Sequence, residues 1–130
     1  MEKMFIEYES KYSMDETIEI LSETITNGGW KISIIHDLQE TLRKNSIQVL
    51  PLKVIELCNP KYSSQILGAD DLRIYSSLMP CRISVYEKED GKTYLSTMDA
   101  KQMSEQIGGL VQKVMAEAYK DISGDISVVS

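Results

Sequence analysis

Several residue types are scarce in this chain, and each shortage excludes something. Of 130 residues two are cysteine, Cys58 and Cys81. They fall in no CxxC, CxxCH or paired-histidine spacing, so the local signatures of zinc ribbons, haem attachment and dithiol redox motifs are missing. Free thiols are expected. The sequence has one histidine, His36, and one tryptophan, Trp30. Positive charge is also short, with 14 Lys+Arg against 20 Asp+Glu giving a net −6. No block of Lys or Arg offsets that field, so neither nucleic acid nor anionic lipid is an expected partner. Apolar runs such as 49–52 fall far below the roughly 18 residues of a membrane span. Residues 1–7 show no apolar signal-peptide core, and a cytoplasmic protein is the expectation.

What is present suffices for one core. With 42% hydrophobic and 26% charged residues, a chain of this length buries roughly two thirds of its unfolded surface without disulfides or metals. A single domain over 1–122 is expected, followed by a polar, mobile tail over 123–130.

The order of elements can be read from periodicity and punctuation. A short β-rich segment, Met4 to Tyr8, precedes a capping box in which Ser13 is followed by Glu16. Ile18, Leu21 and Ile25 then mark a helix that Asn27-Gly28-Gly29 stops. From Trp30 the pattern alternates, which puts Trp30, Ile32, Ile34 and His36 on one strand face and Lys31, Ser33 and Ile35 on the other. Asp37 with Glu40 caps a short helix whose Leu38 and Leu42 turn inward. The apolar stretch from Val49 to Cys58 is a second strand, with Pro51 suiting its beginning or a sheet edge. Asn59-Pro60 opens another short helix, carrying Tyr62 and Ile66 and ending at Gly68. Residues 69–79 read as an ordered loop with room for one 3₁₀ turn.

Cys81 to Glu87 and Thr93 to Met98 form a hairpin about Asp90-Gly91. From Asp99 one long helix is expected, with Met103, Ile107, Leu110, Val111, Val114, Met115 and Ala118 at helical spacing. Gly108-Gly109 inside it would mark a close backbone approach. The predicted fold is α+β, in the order β-α-β-β-β-β-α with short helices in two connections. Its antiparallel sheet of about five strands carries helices on one face. The other face, expected to show Lys31, Ser33, Ile35, Arg82, Ser84 and Tyr86, is apolar enough to suggest a homodimer.

Five fragments occur in a telling order: Gly29-Trp30, His36-Asp37-Leu38, Leu57-Cys58-Asn59-Pro60, Leu78-Met79-Pro80-Cys81-Arg82-Ile83 and Asp90-Gly91. Over about residues 3 to 120 this pattern resembles the domain-of-unknown-function family 302. The resemblance implies an α+β fold of the TATA-box-binding-protein-like type. It brings no assigned reaction, and the acidic charge argues against carrying DNA binding over with the fold.

The candidate chemistry centres on the thiols. The link between His36 and Val49 is too short for a parallel crossover, so those strands run antiparallel and Cys58 lies at the end opposite His36. If the strand from Cys81 also pairs antiparallel, the two cysteines meet at one sheet end. Cys58 precedes the Asn59-Pro60 helix start, whose positive end favours a thiolate, and Arg82 beside Cys81 adds to that field. The competing reading is two inert core cysteines.

His36, a secondary candidate, reads as a hydrogen-bonded strand histidine or a general base. Asp37 reads as a cap, and Asp70, Asp71 and Arg73 as solvated loop charges. Met103 and Met115 are core, while Met79 is a soft-ligand candidate. No phosphate loop is present, because Gly28-Gly29 precedes a strand rather than a helix. Neither a cofactor nor a resident metal is expected. Two functions remain: a non-enzymatic homodimer binding a small ligand or partner near residues 59–80, or a thiol-dependent redox, sulfur-carrier or soft-metal protein using Cys58 and Cys81.

Overall fold

A computed structural model describes residues 4–130; residues 1–3 of the expected domain lie outside the described residues. Five strands, β1 (Phe5–Glu9), β2 (Lys31–Asp37), β3 (Leu52–Cys58), β4 (Cys81–Glu87) and β5 (Thr93–Met98), form one sheet in the order β1-β5-β4-β3-β2. Every neighbouring pair is antiparallel. The helices are α1 (Met14–Asn27), α2 (Leu38–Arg43), α3 (Pro60–Leu67), α4 (Ala100–Ser104) and α5 (Gly109–Ser127), with a 3₁₀ helix over Asp70–Leu78.

The sheet separates a dry side from a bare one. Ile55 and Leu57 of β3, Ile83 and Val85 of β4 and Leu95 of β5 are fully buried against Leu21 and Ile25 of α1, Ile66 of α3 and the apolar stripe of α5. Each such side chain contributes about 1.5–3 kcal/mol by leaving water. The alternate positions Glu56, Arg82, Ser84, Tyr86, Tyr94 and Ser96 are not buried. Helices therefore cover one face only.

The local signals act as their chemistry requires. The Ser13 hydroxyl accepts from the Glu16 amide at 3.3 Å, Asp37 accepts from Glu40 at 3.0 Å, and Asn59 accepts from Lys61 at 3.1 Å. Gly29, with φ +89°, supplies the left-handed exit from α1, and Gly91, with φ +80°, turns the β4–β5 hairpin. Pro51 stands just before β3, which is an interior strand.

Five expectations need correction. In β2, Ile32 pairs with Leu57 but Ile34 pairs with Glu56, so Ser33 is an extra residue with no partner. This bulge flips the alternation: Ile34 and His36 join Glu56 on the bare face, and Ile35 joins Ile55 on the helix side. Helix α2 buries none of its residues, and Leu38 is exposed.

The long C-terminal helix is two helices. Gly108 takes φ 70° and ψ −170°, a conformation that a helix cannot contain and that essentially only glycine adopts. No close approach explains it, because a Cβ at Gly108 or Gly109 would meet nothing within 4 Å. The segment expected to be a tail is helical through Ser127. Ile126 and Val129 are fully buried, and the Val129 carbonyl accepts from the Lys11 amide at 2.8 Å.

Candidate functional site

The antiparallel register decides which chemistry-bearing residues meet. Leu57 pairs with Cys81, so Cys58 at the end of β3 stands one residue beyond the start of β4. Beyond Cys58 the chain turns at once into α3, where Asn59 is the cap and Pro60 the first helical residue. On the other side the 3₁₀ helix delivers Met79 and Pro80 into β4. Both cysteines are half-buried free thiols. They line one cavity of about 30 Å³, together with Trp30, Tyr62, Met79 and Met115. A larger recess of about 210 Å³ adjoins it, sharing Met79, Pro80, Cys81 and Met115.

The electrostatics of this corner hold the protons on. Burial pushes the Cys81 thiol up to about 11, and the neighbouring Cys58 adds to the rise. Cys81 is therefore a protonated, weakly nucleophilic thiol at neutral pH. The Cys58 sulfur lies 3.7 Å from the Ser63 hydroxyl, one helical turn into α3. Arg82 does not reach Cys81. Its guanidinium lies on the bare face, 3.3 Å from Glu56, so the expected contribution of Arg82 to a thiolate field is absent.

His36 stands apart from the cysteines, as antiparallel pairing demands. Its Nε2 lies 3.0 Å from the same Glu56 oxygen. That hydrogen bond, with Arg82 assisting, holds the Glu56 carboxyl below the usual carboxylate range. His36, Glu56 and Arg82 thus form a hydrogen-bonded polar cluster across β2, β3 and β4. Asp70 and Arg73 pair at 3.6 Å and are almost wholly solvated.

Two features escaped the sequence reading. Asp121 of α5 accepts from Trp30 Nε1 at 3.2 Å and from the Tyr62 hydroxyl at 2.8 Å. The two rings lie 5.7 Å apart and form one wall of the cysteine cavity. Burial and then Asp121 push the Tyr62 phenol up to about 12. On the bare face Tyr86 donates to Glu7, and Lys88 reaches Glu7 at 2.8 Å while lying over the Tyr94 ring. Neither grouping has a sequence spacing that would announce it, because each spans distant elements.

The model of the family described as "Domain of unknown function DUF302" matches residues 6–128. This chain belongs to DUF302. A crystal structure of an uncharacterized conserved DUF302 protein from Bacillus stearothermophilus superposes with a TM-score of 0.89 at 18% identity, covering 99% of this chain and 100% of that one. That likeness shows the DUF302 fold alone. No curated protein matches the chain. Among the described residues, no helix is long and apolar enough to cross a membrane.

Proposed function

We propose that this DUF302 chain is a non-enzymatic, cytoplasmic binding domain that holds a small ligand where Cys58-Asn59-Pro60 faces Pro80-Cys81. The observation that carries the reading is the pair of adjoining recesses at this sheet end, lined by sulfur and aromatic side chains. Binding sites favour such apolar clefts with a few polar groups at the rim. The Cys81 thiol keeps its proton, and His36, away from this sheet end, is engaged by Glu56. The net charge of −6 repels phosphate and supports no nucleic-acid or membrane partner, even for a fold of the TATA-box-binding-protein-like type.

The bare sheet face supports a homodimer, with Phe5 62% and Ile34 48% exposed on it. A second reading, thiol-dependent redox, sulfur-carrier or soft-metal function, draws support from the convergence of both cysteines on one cavity.

Trp30 lines the cavity and is the sole tryptophan, so its emission reports on the site. Native mass spectrometry of protein isolated from cells, paired with Trp30 emission, tests the reading. A retained small mass whose removal shifts Trp30 emission is expected. Bare protein, with emission unmoved by a cellular small-molecule extract, would overturn it. Light scattering should give twice the 14.7 kDa chain mass at micromolar concentration; the chain mass itself would remove the dimer.

A further inference from the structure

We infer that the smaller recess is a site for a soft monovalent cation of the Cu(I)/Ag(I) class, bridged by the sulfurs of Cys58 and Cys81 with Met79 as a third, weaker ligand. The inference rests on the second reading above, soft-metal function at the two cysteines, and names its ion.

The placement comes first. The Leu57–Cys81 pairing sets the cysteines one step apart along adjacent strands, and Met79 lies two residues before Cys81. All three line the same cavity, as does Met115. A space of about 30 Å³ is of the order of two or three water molecules, each needing roughly 10–15 Å³ by the same measure. It suits an ion rather than an organic molecule.

The donor set then selects the ion. Among the described residues no three His, Cys, Asp or Glu come together. Zinc, which takes four such ligands in structural sites, finds no site here, and neither do oxygen-seeking cations. Thiolate and thioether donors select Cu(I), a d¹⁰ ion content with two or three sulfurs. Silver(I) is its air-stable analogue.

The proton balance is explicit. Any proton a thiol carries leaves to solvent as its sulfur–metal bond forms, and one monovalent cation held by two thiolates leaves a net charge of −1 at the site. No electron moves. The N-terminal end of α3 begins two residues after Cys58 and carries positive partial charge to meet that −1.

The test is anaerobic titration of the full chain with Cu(I) against a chromophoric chelator, with Ag(I) as a second probe. One ion per chain and no competition from Zn(II) are expected. C58S and C81S should each weaken binding by more than the roughly 10–100-fold that positioning groups around a metal ligand contribute, and M79L by less. Wild-type protein gives an independent measure, since one equivalent of Ag(I) should block maleimide labelling of Cys58. Failure to hold the ion against the chelator, binding unchanged in both serine variants, or labelling unaffected by Ag(I) would overturn the assignment. If the ion fails while a retained organic molecule still shifts Trp30 emission, the cleft reading stands and the cation falls; if neither binds, both fall.

Discussion

Replacing Gly108 with alanine is expected to destabilise the protein by about 1–2 kcal/mol. The residue sits at φ 70° and ψ −170°, between α4 and α5. Holding a side chain in that region costs on the order of 1–3 kcal/mol. The unfolded chain, made less flexible by alanine, returns roughly 0.4–1 kcal/mol. Packing does not enter, because the added Cβ meets nothing within 4 Å. For a domain of this size the net loss lowers Tm by about 4–8 °C. Urea unfolding followed by circular dichroism measures it directly. The sign is decisive: in one continuous helix, as the apolar spacing alone suggests, the same change would stabilise by about 1 kcal/mol. A G108A variant that is more stable, with added helical signal, would refute the two-helix arrangement. Gly109 at φ 59° should behave alike with a smaller loss, since single residues visit the left-handed helical region at about 1–2 kcal/mol.

Three further outcomes follow from the charges and thiols. Asp121→Ala strips the acceptor from Trp30 and Tyr62 and should cost about 2–3 kcal/mol, while Asp121→Asn should lower the Tyr62 phenol from about 12, read by ultraviolet titration; an unmoved phenol would refute the coupling. The Asp125 carboxyl is raised above its ordinary value, first by burial and then by Asp121, and one of its oxygens is enclosed without a partner. A raised folded value gives stability that is present below the unfolded value near 4 and lost as pH climbs through the folded one. Asp125→Asn should therefore be more stable than the parent at pH 7 and lose that advantage toward pH 3; a variant less stable at pH 7 would contradict the sign. Finally, Cys81 should react with maleimide at neutral pH at least about tenfold more slowly than a free solvated thiol, reflecting its low thiolate fraction, and labelling in the native state at the unfolded rate would count against its burial.

Much of the fold was legible because short-range rules dominate it. The caps at Ser13, Asp37 and Asn59, the stop at Gly28-Gly29 and the Asp90-Gly91 turn are local chemistry, and the antiparallel order followed from loop length. That order also put the two cysteines at one end and His36 at the other. The errors arose where one residue changes a period. Nothing in Trp30 to His36 marks Ser33 as unpaired, yet that one insertion carries His36 to Glu56. At Gly108-Gly109 the apolar spacing runs across the break, because both helices present apolar residues to the same core across the turn over residues 105–108. The polar segment after Ser123 hid two apolar side chains, Ile126 and Val129, that fill the core from a mostly hydrophilic helix end. Asp121 was unreadable, since its partners come from β2's start and α3.

The pairing of β1 sets the order in which a growing chain can complete itself. Glu9 pairs with Tyr94 and Phe5 with Met98, and Lys11 is tied to the Val129 carbonyl. The antiparallel set β2, β3, β4 and β5 can assemble from neighbours close in sequence, the kind of contact that forms quickly. The strand synthesised first must wait for the strand synthesised last. Until β5 emerges, β1 has no strand to pair with, and Val129, just beyond α5, must arrive before Lys11 is fixed. A chain interrupted before Val129 would thus keep its central hairpins but leave its opening segment unsecured.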